Sequence, residues 1–460
     1  MSETVLSRRA LNRATLARQM LLRRESITPV AAVERLAGMQ AQVPKPPFIG
    51  LWSRLEGFQR EDLVRALARH DIIRATLMRG TLHLMSRTDF VSFRAALQPM
   101  LSAGMQSVLG DRTSGIDLKT LIPAARACFE TKPCTFDVLR KHLSKQFPDV
   151  DERAMGYIVR THLPLIQMPV DAVKWAYPAS ADFAVAESRL GEPFGADVRP
   201  HALVLRYFAA FGPASVDDVQ TWSYLRDLQT VVDDLRPKLR MFKDERGREL
   251  FDLPAAPRPD EQVDVPVRFL PEFDNLLLSH ADRTRVLAND YRPAIFTKNL
   301  RVLATFLVDG FVAGTWTVER KKASAALDLE PFIPLTKAVR RELEEEGERL
   351  LRFVEDDVEK VDVRVGGVRT FAVAETSKGK ASKAPKAPEV AKIAKSMKIA
   401  KSTKAVTATK VAKTTKVTKA TKAAKVVAAS TSSRTTSRAS ARPAARGATA
   451  AAGTSGRKRR

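Results

Sequence analysis

Hydrophobic positions in the first part of the chain follow a pattern of short helices followed by a β-hairpin. Thr28 and Pro29 are typical of a helix start, with apolar residues on one face of the turns that follow. A second helix is predicted from Arg60 through DLVRALARH, and the alternating runs IIRATLM and TLHLM on either side of Arg79-Gly80 predict two paired strands. Helix, turn, helix and hairpin is the outline of a winged helix.

The same outline recurs twice more along the chain. TFDVLRKHL and DERAMGYIVRTHL predict two helices ahead of the extended, proline-punctuated run PLIQMPVDAVKWAYP. The third segment begins with Ser215 and Asp218 at capping-box spacing and continues with the helix LQTVVDDLRPKL. It ends in a hairpin that turns at Gly247, across which Phe242 and Phe251 are expected to pair.

The predicted secondary structure changes after residue 262. VPVRFLPEFDNLLLSHADRTRV and ATFLVDGFVAGTW are strand-rich, Asp309-Gly310 is a hairpin signal, and TKAVRRELEEEGERLLRFVE predicts an amphipathic helix. The sequence therefore predicts an α+β fold with tandem winged-helix domains, a β-rich C-terminal domain and a disordered Lys-rich tail. A generic α+β protein is the alternative. The predicted boundaries are 1–110, 111–200 and 201–260 for the winged helices, 261–375 for the β-rich domain and 376–460 for the tail.

The net charge of +25 is concentrated in the tail. Residues 376–460 hold 23 of the 77 Lys and Arg residues and one acid, which leaves 54 basic against 51 acidic residues before them. Alanine, threonine and serine separate the lysines, so the tail cannot bury a core and is expected to be disordered. A flexible polycation binds DNA phosphates without sequence preference, although a solubilising role is the alternative. The predicted DNA-binding lysines are Lys392, Lys395, Lys398, Lys401, Lys404, Lys413, Lys416, Lys419 and Lys422.

Several features indicate a cytoplasmic, nucleoid-associated protein. Cys128 and Cys134 have no metal-ligand spacing, so no metal site is expected. The charged N-terminus lacks the apolar run of a signal peptide, and no uninterrupted apolar stretch approaches the ~20 residues of a membrane span. A monomer without membrane or protein partners is expected.

The run GMQAQVPKPPF carries the candidate chemistry. Pro44 favours an extended Val43, and if Gln40 to Gln42 is also extended, both glutamine side chains point to one side. Carboxamides can orient a water but are poor bases, so they suit a leaving group that departs easily. An N7-alkylated purine is such a group, because the base is cationic and leaves neutral. Two glutamines that only cap helices or bond to loops are the alternative.

The order of several phrases adds to this interpretation. LARQMLL, GMQAQVPKPP, LWSRL, LMRGTLHL, THLPLIQMP, YFAAFGPASVDDVQTWS, FLPEFDNLLLSHADRTRV and FLVDGFVAGTW lie between about Leu11 and Trp316. Across this region the chain resembles the AlkZ/YcaQ-type winged-helix DNA glycosylases. Gln40-Ala41-Gln42 resembles the Gln-apolar-Gln motif of one branch. One departure is Ser223-Tyr224-Leu225, where SGL is common.

The resemblance implies a monofunctional DNA glycosylase in which Gln40 and Gln42 are catalytic. It implies tandem winged helices with a β domain, excision of bulky N7-alkylpurines from duplex DNA, unhooking of interstrand crosslinks, and no cofactor. Arg79 and His83 are candidate DNA contacts near the glutamines, although a buried structural histidine is an equal alternative.

Other residues in the matching phrases are expected to be structural. Asp274, Asp282 and Arg283 are expected to form internal salt bridges, and Trp52 and Trp222 are expected to lie in the core.

The alternative class is a non-enzymatic winged-helix regulator or nucleoid-associated protein. Asp233 and Asp234 weaken it, because a recognition helix presents basic or amide side chains to DNA.

Overall fold

The structure is a computed structural model, and it describes residues 4–195 and 197–371. It has mixed α and β composition, which confirms the predicted α+β class. The helices are α1 (Arg8–Arg18), α2 (Pro29–Arg35), α3 (Pro46–Trp52), α4 (Arg60–Ala68), α5 (Arg87–Phe93), α6 (Gln98–Leu109), α7 (Leu118–Thr131), α8 (Phe136–Gln146), α9 (Glu152–His162), α10 (Ala186–Leu190), α11 (His201–Phe211), α12 (Val216–Ser223), α13 (Gln229–Leu235), α14 (Arg292–Ile295) and α15 (Lys337–Val354).

The strands form three sheets. They are β1 (Val5–Leu6), β2 (Met39–Gln40), β3 (Ile72–Thr76), β4 (Leu82–Ser86), β5 (Leu165–Gln167), β6 (Phe183–Val185), β7 (Arg240–Asp244), β8 (Glu249–Asp252), β9 (Arg268–Leu270), β10 (Thr305–Val308), β11 (Phe311–Arg320), β12 (Ser324–Pro331) and β13 (Lys360–Val365). Their orders are β2-β4-β3-β5-β6, β1-β7-β8 and β13-β12-β11-β10-β9.

The first sheet joins two segments of the chain. The predicted hairpin forms as β3 and β4, and β3 also pairs with β5, so strands from residues 39–86 and 165–185 share one sheet. Thr28 caps α2 through a bond from the Ala31 amide, and Pro29 is the first helical residue, as the sequence predicts. Beyond α2 the amide of Gly38, at φ 85°, donates to the Val33 carbonyl and directs the chain into β2.

The third segment confirms its predicted helices but corrects one pairing. Ser215 and Asp218 form a capping box at the start of α12, and β7 and β8 form the expected hairpin. Phe242 pairs with Leu250, and Phe251 with Met241, so the two phenylalanines lie on opposite faces. The turn sets this register, because the Asp244 carboxylate accepts the amides of Arg246 and Arg248.

The C-terminal sheet confirms the Asp309-Gly310 turn, where Val308 of β10 pairs with Phe311 of β11. α15 packs against this sheet through a buried apolar face. The stretch after β9, predicted to be strand-rich, instead forms short 3-10 turns. Two of these begin where Asp274 and Asp282 accept the amides of Leu276 and Thr284, because a local side-chain bond competes with strand pairing.

Helix α1 is polar and yet lies in the interior. Asn12, Arg13, Thr15 and Arg18 are at most 1% exposed. Their partners include the Gly310 carbonyl for Asn12, the Asp309 carbonyl for Arg13 and the Asp252 carboxylate for Arg18. Buried polar groups need such partners, so α1 ties the third segment to the C-terminal sheet.

Within the described part of the chain, no helix combines the length and apolar character needed to cross a membrane.

Candidate active site

The QAQ motif lies at the edge of the first sheet, where β2 runs antiparallel to β4. Gln40 pairs with His83, and the Ala41 amide donates to the Leu82 carbonyl at 2.7 Å. Ala41 is 1% exposed and packs in a hydrophobic cluster. The strand thus fixes the backbone from which both glutamine side chains project.

The regular ladder stops after Ala41. In an antiparallel pair the Leu82 amide would return a bond to the Ala41 carbonyl. Here the Leu82 amide donates to Oε1 of Gln42 at 3.2 Å instead. The freed Ala41 carbonyl accepts bonds from Nε and Nη2 of Arg74, at 2.9 and 2.6 Å. A side chain has therefore replaced one backbone acceptor, and this replacement anchors Gln42.

Arg74 holds the motif from the neighbouring strand, β3. Its Nη2 also lies 3.3 Å from the Gln42 carbonyl oxygen, and its guanidinium stacks 4.8 Å from the ring centre of Tyr177. Burial lowers the pKa of Arg74 to about 10, so it remains charged at neutral pH. The sequence analysis missed this residue. The sequence feature that could have indicated Arg74 is its position as the one charged residue in the run IIRATLM.

Gln40 is 8% exposed and is held through its side chain. Its Oε1 accepts a hydrogen bond from Nη2 of Arg79 at 2.8 Å, while Nη1 of Arg79 donates to the Trp222 carbonyl at 2.6 Å. Arg79 is itself 8% exposed. Burial lowers its pKa to about 10. The structure thus brings the predicted site residue Arg79 next to Gln40, beneath the surface.

His83 completes this group. Its Nδ1 lies 3.0 Å from the Thr81 carbonyl, which can only accept, so Nδ1 carries the proton. Nε2 is then the acceptor that faces Nη2 of Arg79 at 3.2 Å. His83 is 1% exposed. Its burial and the charge of Arg79 lower its pKa to about 3, so the ring is neutral at pH 7. That Arg79 or His83 touches DNA stays a prediction.

The orientation of both glutamine amides follows from their partners. Arg79 and the Leu82 amide are donors only, so each must face a glutamine oxygen and not its NH₂ group. Among the described residues, neither Nε2 of Gln40 nor Nε2 of Gln42 has a hydrogen-bond partner. Both motif side chains therefore have anchored oxygens and available NH₂ groups.

The loop after β9 supports the motif from the opposite side. Nδ2 of Asn275 donates to the carbonyl oxygens of Leu36 and Gly38, where the chain enters β2. The neighbouring Asp274 forms a bidentate ion pair with Arg54, with both bonds at 2.9 Å and both side chains at most 2% exposed. Asp274 is thus structural, as predicted.

The remaining candidates make structural contacts or lie outside the described residues. Asp282 forms ion pairs with Arg246 and Arg248, as predicted. Trp222 is 1% exposed and lies in the core, whereas Trp52 is half-buried and stacks on Phe353. The tail lysines from Lys392 to Lys422 lie outside the described residues. In residues 4–195 and 197–371 no three His, Cys, Asp or Glu side chains are grouped to bind a metal ion.

The neutral state of His83 predicts a pH-dependent stability. Its ordinary pKa is 6.5, and its pKa in the fold is about 3. Between these values the unfolded chain binds a proton that the folded chain does not, so the free energy of unfolding falls as the pH drops below 6.5. His280, with a pKa of about 3, adds to the same slope.

His83→Gln is expected to reduce the pH dependence of the free energy of unfolding by the equivalent of up to about one proton. Urea unfolding measured at a series of pH values from about 7.5 to about 5 gives the slope for the wild type and the variant. Identical slopes would mean that His83 titrates alike in the folded and unfolded chains, which contradicts its buried, neutral state.

Comparison with known proteins identifies the class. The family described as DNA glycosylase AlkZ-like matches residues 33–353 of this chain, more than half of its length. The chain therefore belongs to the AlkZ-like DNA glycosylase family, and the enzyme is a DNA glycosylase. The resemblance drawn from the sequence phrases is confirmed.

Two similar proteins come from Streptomyces sahachiroi. An interstrand DNA cross-link repair glycosylase is 24% identical over 327 residues, which cover 65% of this chain and 85% of the relative. The solved structure of the DNA glycosylase AlkZ matches with a TM-score of 0.63 and 22% identity, covering 79% of this chain and 100% of that one. The structural match supports the same fold.

Proposed function

We propose that this glycosylase hydrolyses the N-glycosidic bond of N7-alkylated purines in duplex DNA, with Gln40 and Gln42 as its catalytic residues. The observation that carries the proposal is the fixed orientation of the two amides. Each oxygen is anchored by a donor-only group, and each NH₂ group has no partner among the described residues. Hydrogen-bonding groups that are already oriented need no reorganisation during the reaction.

The chemistry suits a cationic leaving base. N7 alkylation puts a positive charge on the purine, so the base departs neutral without a strong acid, and the sugar takes on oxocarbenium character. Each glutamine oxygen keeps a second lone pair that can accept a hydrogen bond from a water. The NH₂ groups can donate to the water oxygen or to the nucleotide. Water thus attacks the anomeric carbon as the bond to the base breaks. The bonding electrons leave with the base, which becomes neutral, and the attacking water releases one proton to solvent, so the step needs neither a Schiff-base lysine nor a cofactor.

The proposal extends to crosslinks and to the DNA-binding architecture. The Streptomyces sahachiroi relative is named for interstrand cross-link repair, and a crosslink through purine N7 atoms contains the same cationic base. Three segments that each have helices followed by paired strands support the predicted tandem winged helices: α2 to α4 with β3 and β4, α7 to α9 with β5 and β6, and α11 to α13 with β7 and β8.

Release of N7-methylguanine from alkylated duplex DNA tests the proposal. The free base is quantified by chromatography under single-turnover conditions, and a duplex joined by a crosslink between guanine N7 atoms is examined on a denaturing gel. Release of the methylated base is expected, and separated strands from the second duplex would extend the activity to crosslinks. If neither N7-methylguanine nor a bulkier N7 adduct is released, the proposed substrate class is wrong.

A chain shortened to end at Ala374 separates the role of the tail from catalysis. We propose that the tail lysines tether the enzyme to DNA through phosphates. The shortened chain is therefore expected to release the base from its DNA complex at the full rate, with a smaller dependence of DNA affinity on salt. A non-enzymatic regulator, which the family match does not favour, would instead show sequence-specific footprints without base release.

A further inference from the structure

We propose that Arg79 is a positioning residue that sets the orientation of Gln40, and that its role is not contact with DNA. This inference rests on the proposed catalytic function of Gln40. The bond from Nη2 of Arg79 to Oε1 of Gln40 turns the NH₂ group of Gln40 away from the guanidinium. Without that bond the amide could rotate, and its oxygen and nitrogen could exchange places.

The contacts of Arg79 are directed inward. The side chain is 8% exposed, and its three hydrogen bonds reach Gln40, the Trp222 carbonyl and His83. An arginine that binds a phosphate presents its fork of donors to solvent when DNA is absent. Here both terminal nitrogens are already engaged within the protein.

The backbone at Arg79 is shaped for this task. Arg79 has φ 58° within the short 3-10 turn between β3 and β4, a left-handed conformation that side-chain-bearing residues seldom adopt. A simple β-turn would favour glycine or asparagine there. The conformation turns the arginine under the sheet edge, where Gln40 pairs with His83.

No carboxylate partner competes with the Gln40 amide oxygen for the Arg79 guanidinium among the described residues. Within residues 4–195 and 197–371, Arg79 forms no ion pair, and the same holds for Arg74 below the motif backbone. A nearby carboxylate would attract the guanidinium and compete with the amide oxygen, because charge-assisted pairs are the stronger bonds. Because the acceptors that surround Arg79 are all neutral, the Gln40 oxygen can compete for its donors. The neutral His83 ring accepts a bond from the same Nη2 atom of Arg79.

A double-mutant cycle tests the inference. The Arg79→Met substitution is introduced into the wild type and into the Gln40→Ala variant. The single-turnover rate of base release and the DNA affinity are then measured separately for each protein. Because misplacement of a reacting group costs on the order of 10²-fold, Arg79→Met is expected to lower the rate by about 10- to 100-fold in the wild type. In Gln40→Ala it is expected to lower the rate by less than about threefold, because residues that act together are not additive.

Arg94→Met is the matched control. Arg94 is 4% exposed, has a pKa lowered to about 10 by burial, and bonds to the neutral acceptors Gln98 and the Thr161 carbonyl. This variant is expected to lose stability without losing the rate of base release. Addition of guanidinium ion to Arg79→Ala, far below concentrations that unfold the protein, is expected to restore part of the rate, whereas an alkylammonium salt is not.

Three outcomes would overturn the inference. Equal losses of rate in both backgrounds would indicate a purely structural arginine. Weaker DNA binding with an unchanged rate would indicate a DNA contact. Full activity of Gln40→Ala would remove the catalytic role of Gln40, and with it the inference, whereas a failure confined to the Arg79 variants leaves the proposed function intact.

Discussion

Replacement of Gln40 or Gln42 by alanine is expected to lower the single-turnover rate of base release by about 10²- to 10³-fold. The estimate follows from other enzymes, in which loss of one preorganised hydrogen-bonding group in a site costs about 2.7–4 kcal/mol of transition-state stabilisation. Alanine removes both the anchored oxygen and the available NH₂ group. The double variant is expected to lose little beyond the more damaging single one, because both amides are proposed to act on one water and one sugar.

The control for this experiment is Gln146→Ala, which removes an exposed glutamine from α8. Its rate is expected to equal that of the wild type. Thermal unfolding and DNA affinity should be measured for every variant, since Gln42 also closes the end of the β2–β4 ladder. A loss of less than about threefold in both motif variants, with folding intact, would show that QAQ is not the catalytic motif.

The Asp274→Ala variant is expected to lose about 3–5 kcal/mol of the free energy of unfolding. The change leaves the Arg54 guanidinium unpaired at a site where both side chains are at most 2% exposed. Arg54 still bonds to the carbonyl oxygens of Gln19 and Gly50, but neither of these neutral acceptors offsets the buried charge. Urea unfolding followed by circular dichroism measures the loss.

Asp137→Ala provides the comparison. Asp137 also pairs with an arginine, Arg140, but it is exposed on α8, so its removal is expected to cost less than about 1 kcal/mol. If Asp274→Ala cost no more than Asp137→Ala, the buried pair would not hold the loop after β9 against α3.

The sequence predicted the local features of this fold because those features are encoded over a few residues. Thr28 caps α2, Ser215 and Asp218 form a capping box, and Asp309-Gly310 turns a hairpin. Each depends on side chains within about four positions.

What the sequence did not predict depends on side-chain bonds that hydrophobic alternation does not encode. The register that separates Phe242 from Phe251 is set by bonds within the turn, and hydrophobic alternation alone does not encode them. The salt bridge predicted for Asp274 has its partner, Arg54, 220 positions away, so the sequence did not show which residue completes it. The Trp222 carbonyl that accepts a bond from Arg79 lies 143 positions away, so the sequence did not indicate this contact.

Tyr224 illustrates how structure explains a departure from the family pattern. It caps α12 at φ 63°, in the left-handed conformation that glycine adopts easily. A tyrosine at this position costs backbone strain that glycine would avoid.

The buried polar helix α1 depends on hydrogen-bond partners that are synthesised much later than the helix itself. The Asn12 amide bonds to the Gly310 carbonyl 298 residues downstream, and Arg18 bonds to Asp252 234 residues downstream. Contacts at such separation form slowly, because the entropy of closing a long loop is lost before the contacts stabilise the fold. Helix α1 is therefore satisfied only after most of the described chain has been made, and a nascent chain that stops before Asp309 lacks the Asp309 and Gly310 carbonyl partners of Arg13 and Asn12.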